Sequence, residues 1–221
     1  MAPLKNRGKS IFACALLALS LAGCQLAALA AGNGSQDALY KINKKQHVAV
    51  LVDVAETVTP PPTFPTTLAD KIGAHLVKYR ATEFLVPQGS IVDLQQRDPA
   101  QFKAMSIAQI ARAVGADAVI VVRLTELDVA RSEEKSVTEG FAEAYVKVVD
   151  RDGNRLYPGD EAGTKISSHI PAGLTSEQDT PALQKKMLDQ LSVLTGRMFH
   201  AYSNDDKDMI INIEDRKLIG N

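Results

Sequence analysis

Ile110-Ala111-Arg112-Ala113-Val114-Gly115-Ala116-Asp117-Ala118-Val119-Ile120-Val121 holds the end of a helix, its stop and the start of a strand. Ile107, Ile110, Ala111 and Val114 recur at helical spacing behind Ser106, whose hydroxyl suits a helix start. Gly115 ends that helix, because a residue without Cβ enters the left-handed region at little cost. After the turn at Asp117, Val119, Ile120, Val121 and Val122 form a continuous β-branched run. Such a run is what a strand covered on both faces needs. A helix leading straight into a doubly covered strand implies an α/β domain.

Val48-Ala49-Val50-Leu51-Val52 is a second run of the same kind and predicts a central strand. Glu56 to Thr67 carries Pro60, Pro61, Pro62 and Pro65, which predicts a stiff, extended loop. Thr67 with Asp70 three residues on is close to a capping box, and Leu68, Ile72, Leu76 and Tyr79 then share one helical stripe. Glu83 to Pro87 reads as a short strand and Gly89 to Ala104 as irregular or weakly helical. Ala118 to Leu127 reads as the third strand and Phe141 to Val149 as the fourth, joined by a charged connection from Asp128 to Gly140. In the fourth strand Ala142, Ala144, Val146 and Val148 alternate with Glu143, Tyr145 and Lys147, so one face is solvated. Asp152-Gly153 signals a turn before a short strand at Arg155-Leu156-Tyr157, and Glu161 to Gln178 reads as an excursion. Thr180-Pro181 opens the longest amphipathic helix, striped by Leu183, Met187, Leu191, Leu194, Met198 and Tyr202. The expected architecture is one mixed sheet of three to five strands packed by three helices.

The amino terminus has the parts of an export signal: Lys5, Arg7 and Lys9, then an apolar stretch from Ile11 to Leu21. That stretch falls short of the roughly 20 apolar residues of a spanning helix. It ends in Leu21-Ala22-Gly23-Cys24, a lipobox, in which small residues expose the bond before a thiol that takes a diacylglyceryl group. Cys24 is therefore the expected lipidation site, with palmitate among its acyl chains. Cys14 lies within the apolar stretch, where bulky Phe12 spoils the same pattern. The expected organisation is a signal peptide over residues 1–23, a tether over 24–46, the α/β domain over 47–203 and a polar tail over 204–221. Cleavage before Cys24 leaves a single, acylated cysteine, which excludes disulfides, thiol catalysis and cysteine zinc sites. Gln25 rather than aspartate follows it, the sorting pattern of lipoproteins sent to the outer membrane and facing the periplasm.

A formal net charge of −1 and the absence of tryptophan give no basic footprint or aromatic platform for nucleic acid. His47, His75, His169 and His200 stand at no metal-ligand spacing, and His75 reads as a boundary histidine on its helix. Ser167-Ser168-His169 lacks the Gly-x-Ser-x-Gly elbow of a hydrolase. Asp150, Asp152 and Asn154 resemble part of a calcium loop without its twelfth-position glutamate, and read as a solvated turn. The glycines form neither phosphate-binding fingerprint. No catalytic residue, cofactor or metal is expected. The competing expectation is a lipid-anchored enzyme or small-ligand binder with a pocket at the strand ends near Asp53 and Glu126.

The order strand, helix, strand, helix, strand, strand, helix, with Gly115-Ala116-Asp117 leading into a buried strand and Val148-Val149-Asp150-Arg151-Asp152-Gly153 closing a later one, resembles a known group. It looks like the α/β domain shared by the TolB amino-terminal domain, the curli-secretion lipoprotein CsgG, the Pel polysaccharide lipoprotein and the lipoproteins that activate penicillin-binding proteins. The resemblance covers about His47 to Tyr202. It implies a membrane-anchored, non-catalytic scaffold, assembly or regulatory subunit in secretion, polymer export or wall synthesis, binding envelope proteins or further copies of itself. Channel-forming members insert hairpins whose strands alternate apolar and polar residues over about 9–11 positions. Arg131, Glu133, Glu134, Lys135 and Glu139 crowd the Asp128 to Gly140 connection, so no such hairpin and no pore is expected here.

Overall fold

The structure, a computed structural model, describes residues 35–132, 137–159, 162–170 and 180–203. They belong to two units. In the smaller, β1 (Ser35–Gln36) pairs antiparallel with β8 (Tyr202–Ser203), and the Tyr202 hydroxyl donates to the Gln36 side-chain oxygen. The larger runs β2 (His47–Val54), α1 (Phe64–Lys78), β3 (Phe84–Leu85), α2 (Gln88–Arg97), α3 (Pro99–Ala104), α4 (Ile107–Val114), β4 (Ala118–Ser132), β5 (Val137–Asp150), β6 (Arg155–Tyr157), β7 (Thr164–Ile170) and α5 (Thr180–Arg197). It is the mixed α/β fold that the sequence implies, with more strands and helices than expected.

Its six-stranded sheet has the order β3-β2-β4-β5-β6, with β7 also pairing with β5. β2 lies parallel to β3 and β4, while β4, β5, β6 and β7 pair antiparallel. The β2–β4 register runs unbroken from Val48↔Ala118 to Val54↔Leu124, so the two apolar runs are neighbours. On one sheet face, Leu68, Ile72 and Leu76 of α1 and Leu183, Met187 and Leu191 of α5 cover Val50, Ile120, Val122 and Val146. On the other, Ile91 of α2 and Ile110 and Ala111 of α4 cover Ala49, Leu51, Val119 and Val121. Each fully buried aliphatic side chain contributes about 1.5–3 kcal/mol, and both layers are needed because residues of both parities are apolar.

Several elements depart from expectation. α1 starts a turn early, at Phe64, whose ring is buried, with Pro65 in the first turn, where its missing N–H costs nothing. Thr67 is therefore inside the helix, its hydroxyl donating to the Thr63 carbonyl at 2.7 Å. The stretch read as irregular or weakly helical is helical, forming α2 and α3, the latter capped by the Asp98 carboxylate accepting from the Gln101 N–H at 2.9 Å. The excursion contains β7, whose Ile166, Ser168 and Ile170 are buried at alternate positions. Tyr40 and Ile42, from the stretch read as tether, pack on the domain: Ile42 is buried, and the Tyr40 N–H donates to the Met198 carbonyl at 3.0 Å.

The largest correction concerns Asp128 to Gly140, which is not a connecting loop. β4 and β5 stay paired through it as far as Ser132↔Val137, so a hairpin does exist there, and residues 133–136 lie outside the described residues. A single bulge makes this possible. Leu124 pairs with Ala144 and Glu126 with Glu143, which leaves Thr125 as the extra residue, its hydroxyl donating to the Glu143 carbonyl at 3.3 Å. The bulge shifts parity, so that Leu127 and Val129 follow Leu124 onto the same core face despite their odd spacing from it.

The α4 start and stop match the sequence reading. The Gln109 N–H donates to Ser106 Oγ at 3.3 Å, the Ser106 N–H to Gln109 Oε1 at 2.7 Å, and Gly115 closes the helix at φ 72°. Ser106→Ala should lower unfolding stability by about 1 kcal/mol, read from the urea midpoint, while Ser106→Thr should keep most of it. An unchanged midpoint in Ser106→Ala would show that the cap contributes nothing to stability.

Candidate functional site

The layer formed by α2 and α4 stops halfway along the sheet, because its apolar supply stops. Beyond Leu51, Val121 and Val149 the same face carries Asp53 on β2, Arg123 on β4, and Lys147, Tyr145 and Glu143 on β5. β7 extends it, setting Lys165 beside Tyr145, Ser167 beside Glu143 and His169 beside Phe141. Among the described residues no helix covers this area. Arg123 and Lys165 remain more than half exposed, and Tyr145 and Phe141 are half-buried between charged neighbours. Lys165 Nζ lies 2.6 Å from Glu143 Oε2, and that hydrogen bond raises the lysine pKa above its ordinary value. Arg123 Nε and Asp53 Oδ2 stand 3.9 Å apart, and His169 Nε2 lies 3.8 Å from Glu139. The face is a ladder of cross-strand pairs.

Asp53 and Glu126, the strand-end carboxylates, both sit on this open face and are exposed rather than enclosed. Ser168 is buried on the opposite face, donating to the Gln190 side-chain oxygen, while His169 points the other way into solvent. The pleat therefore separates the adjacent serine and histidine. Cys24 and the tail from Asn204 lie outside the described residues. The Asp128 to Gly140 segment, taken from sequence as an exposed connection, is the hairpin, with Glu126 and Asp128 on its open side. Of the Pro60 to Pro65 loop, Pro62 is exposed while Phe64 anchors the helix start.

The fold brings together His75 of α1 and His200, which are far apart in sequence. Their Nε2 atoms are 2.8 Å apart. His200 Nδ1 faces the Ala201 carbonyl at 2.8 Å and must donate to it, so His200 Nε2 accepts and His75 Nε2 donates. The ring centroids are 5.0 Å apart. Tyr79 stacks on His200 at 4.3 Å with its plane tilted by 2°. This clamp joins the carboxyl ends of α1 and α5. Gly196 is what lets them meet, since a Cβ there would lie 2.1 Å from His75 Cδ2.

At the amino ends of the parallel strands, Asp117 Oδ2 accepts the His47 N–H at 2.9 Å and Arg151 approaches Oδ1 at 3.5 Å. The bond from the His47 backbone is the main cause that lowers the Asp117 pKa. Asp150 closes its own turn, accepting from Asn154 Nδ2 at 2.9 Å and from the N–H groups of Asn154 and Asp152 at 2.8 and 2.9 Å. Those bonds, the Asn154 side chain first, lower its pKa too and occupy the oxygens a calcium ion would need.

These elements define a three-layer α/β domain with one half-bare sheet face. The chain matches no family model and no curated protein. Among solved structures it is similar to lipoprotein GNA1162 from Neisseria meningitidis, with 16% identity over 66% of this chain and 93% of that one and a TM-score of 0.41. Hypothetical protein CT253 from Chlamydia trachomatis gives 15% identity, 70% and 98% coverage and a TM-score of 0.41. The PelC dodecamer from Paraburkholderia phytofirmans gives 12%, 76% and 96%, with a TM-score of 0.44.

Two outcomes are expected. Gly196→Ala should cost about 1–3 kcal/mol in urea unfolding, by forcing His75 off His200, whereas Ala113→Gly on the exposed side of α4 should cost about 1 kcal/mol or less. Both carboxylates have folded pKa values below their unfolded ones, so their contribution is complete above the unfolded carboxylate range and is lost as pH falls through the folded values. Urea midpoints should hold level from neutrality to about pH 4 and then drop, with a shallower drop in Asp117→Asn/Asp150→Asn. Equal acid slopes in variant and wild type would contradict this assignment.

Proposed function

We propose that this chain is a lipid-anchored envelope protein, acylated at Cys24, whose α/β domain is a non-catalytic scaffold or assembly subunit of the group its motif resembles. The observation that carries the reading is Leu21-Ala22-Gly23-Cys24 at the end of a basic and then apolar leader. The half-bare sheet face supports the binding role, because it offers cross-strand rows of mixed charge around Phe141 and Tyr145 to another envelope protein or a further copy of the chain. Gln25 after the cysteine supports the outer membrane, facing the periplasm, as the place of anchoring. Among the described residues no helix is long and apolar enough to cross a membrane. In this reading the acyl chains hold the protein to the bilayer.

The test is metabolic labelling with palmitate in a bacterial host with the lipoprotein pathway. Wild type should take up label and fractionate with membranes, and Cys24→Ser should lose the label. An unlabelled wild type would refute the anchor. For the scaffold role, crosslinking in native membranes should capture higher-mass species that Arg123→Glu/Tyr145→Ala on the open face abolishes. Capture of monomer alone would count against it.

A further inference from the structure

The two ends of the domain differ in charge. One end gathers the amino ends of β2, β3 and β4, the last residues of α1 and α5, and the segment from Asp37 by which the chain enters the domain. Tyr40 marks the entry point, its ring 5.5 Å from Tyr157 and 6.5 Å from Phe199. From there Lys41, Lys44 and Lys45 lead to β2, and Arg80 follows α1 close to Phe84, the β3 residue paired with His47. All four cations are exposed, and none makes an ion pair among the described residues. The acids at this end are mostly engaged internally: Asp117 by His47 and Arg151, Asp152 by Arg112, and Asp150 by its own turn. Asp37 and Glu83 are its other exposed carboxylates. The opposite end exposes Glu56, Glu126 and Asp128.

We infer that the Lys41, Lys44, Lys45 and Arg80 end of the domain docks on an anionic lipid surface, with the β4–β5 hairpin pointing away from the bilayer. The inference rests on the anchor at Cys24 proposed above. Residues 25–36 can span at most about 40 Å, so the acyl chains keep the entry point within reach of headgroups at a high effective concentration. A lysine or arginine near an anionic surface multiplies affinity about fivefold, and four unpaired ones beside the point of attachment give the domain a preferred side. The acidic opposite end is repelled by the same surface. A flexible tether alone would leave the orientation free, whereas the charge placement selects one.

The experiment uses the mature protein purified from membranes and mixed with vesicles of phosphatidylcholine, alone or with a third of phosphatidylglycerol. Exposed amines are acetylated briefly and each lysine is read by peptide mass spectrometry. On the anionic vesicles Lys41, Lys44 and Lys45 should react about fivefold more slowly than on neutral ones, and recover at about 0.5 M salt. Lys103 and Lys186, exposed elsewhere on the domain, should react equally on both. Equal rates for Lys41, Lys44 and Lys45 on the two lipids would overturn the inference, as would equal slowing at Lys103 and Lys186. The same digest reports the mass of the peptide containing Cys24. An unmodified cysteine refutes the anchor, and the lysine rates still decide the docking.

Discussion

Two neighbouring strands that must be dry on both faces set the terms for the rest of this domain. β2 and β4 are apolar at consecutive positions, Val48 to Val52 and Ala118 to Val122, so each strand needs a layer on either side. Their parallel register requires a crossover long enough to return the chain to the same end. α1, β3, α2, α3 and α4 provide it, with α1 on one face and α2 and α4 on the other. α5 then completes the face that α1 began.

The bare half-face follows from where that requirement lapses. Past Leu51 and Val121 the next residues on the same side are Asp53 and Arg123, and β5 presents Lys147, Tyr145 and Glu143 beside them. A helix laid over these groups would have to desolvate several charges, which costs far more than the packing would return. On the opposite side the core continues, because the Thr125 bulge rotates Leu127 and Val129 back under cover. One face of the hairpin thus stays tied to the core while the other is left open.

Stability and placement meet at the end where the chain enters. The His75–His200 bond, the Tyr79 stack and the close passage at Gly196 hold the carboxyl ends of α1 and α5 together. The Asp117 and Asp150 carboxylates tie the strand ends through backbone N–H groups. With those acids occupied internally, the surplus charge at this end is positive and lies next to the tethered segment.

Local patterns in the sequence were enough for the fold class. The helix start at Ser106, the left-handed stop at Gly115, the two doubly apolar strands and the alternation in β5 each depend on residues a few positions apart. The alternation of Glu143, Tyr145 and Lys147 also announced a solvated face, which is half of the candidate site. Charge density misled at Asp128 to Gly140, because solvent on one side lets charged residues occupy a paired strand. The overlooked β7 is short, and its Ile166, Ser168 and Ile170 pattern is interrupted by a serine that is buried only because Gln190 accepts its hydrogen bond. No local pattern joins His75 to His200, sets Lys165 beside Glu143 or brings Arg80 to the end that carries Lys41, Lys44 and Lys45. Backbone propensity and side-chain periodicity act over a few residues and are written in the chain, whereas these contacts exist only after the sheet register and helix packing bring distant segments within reach.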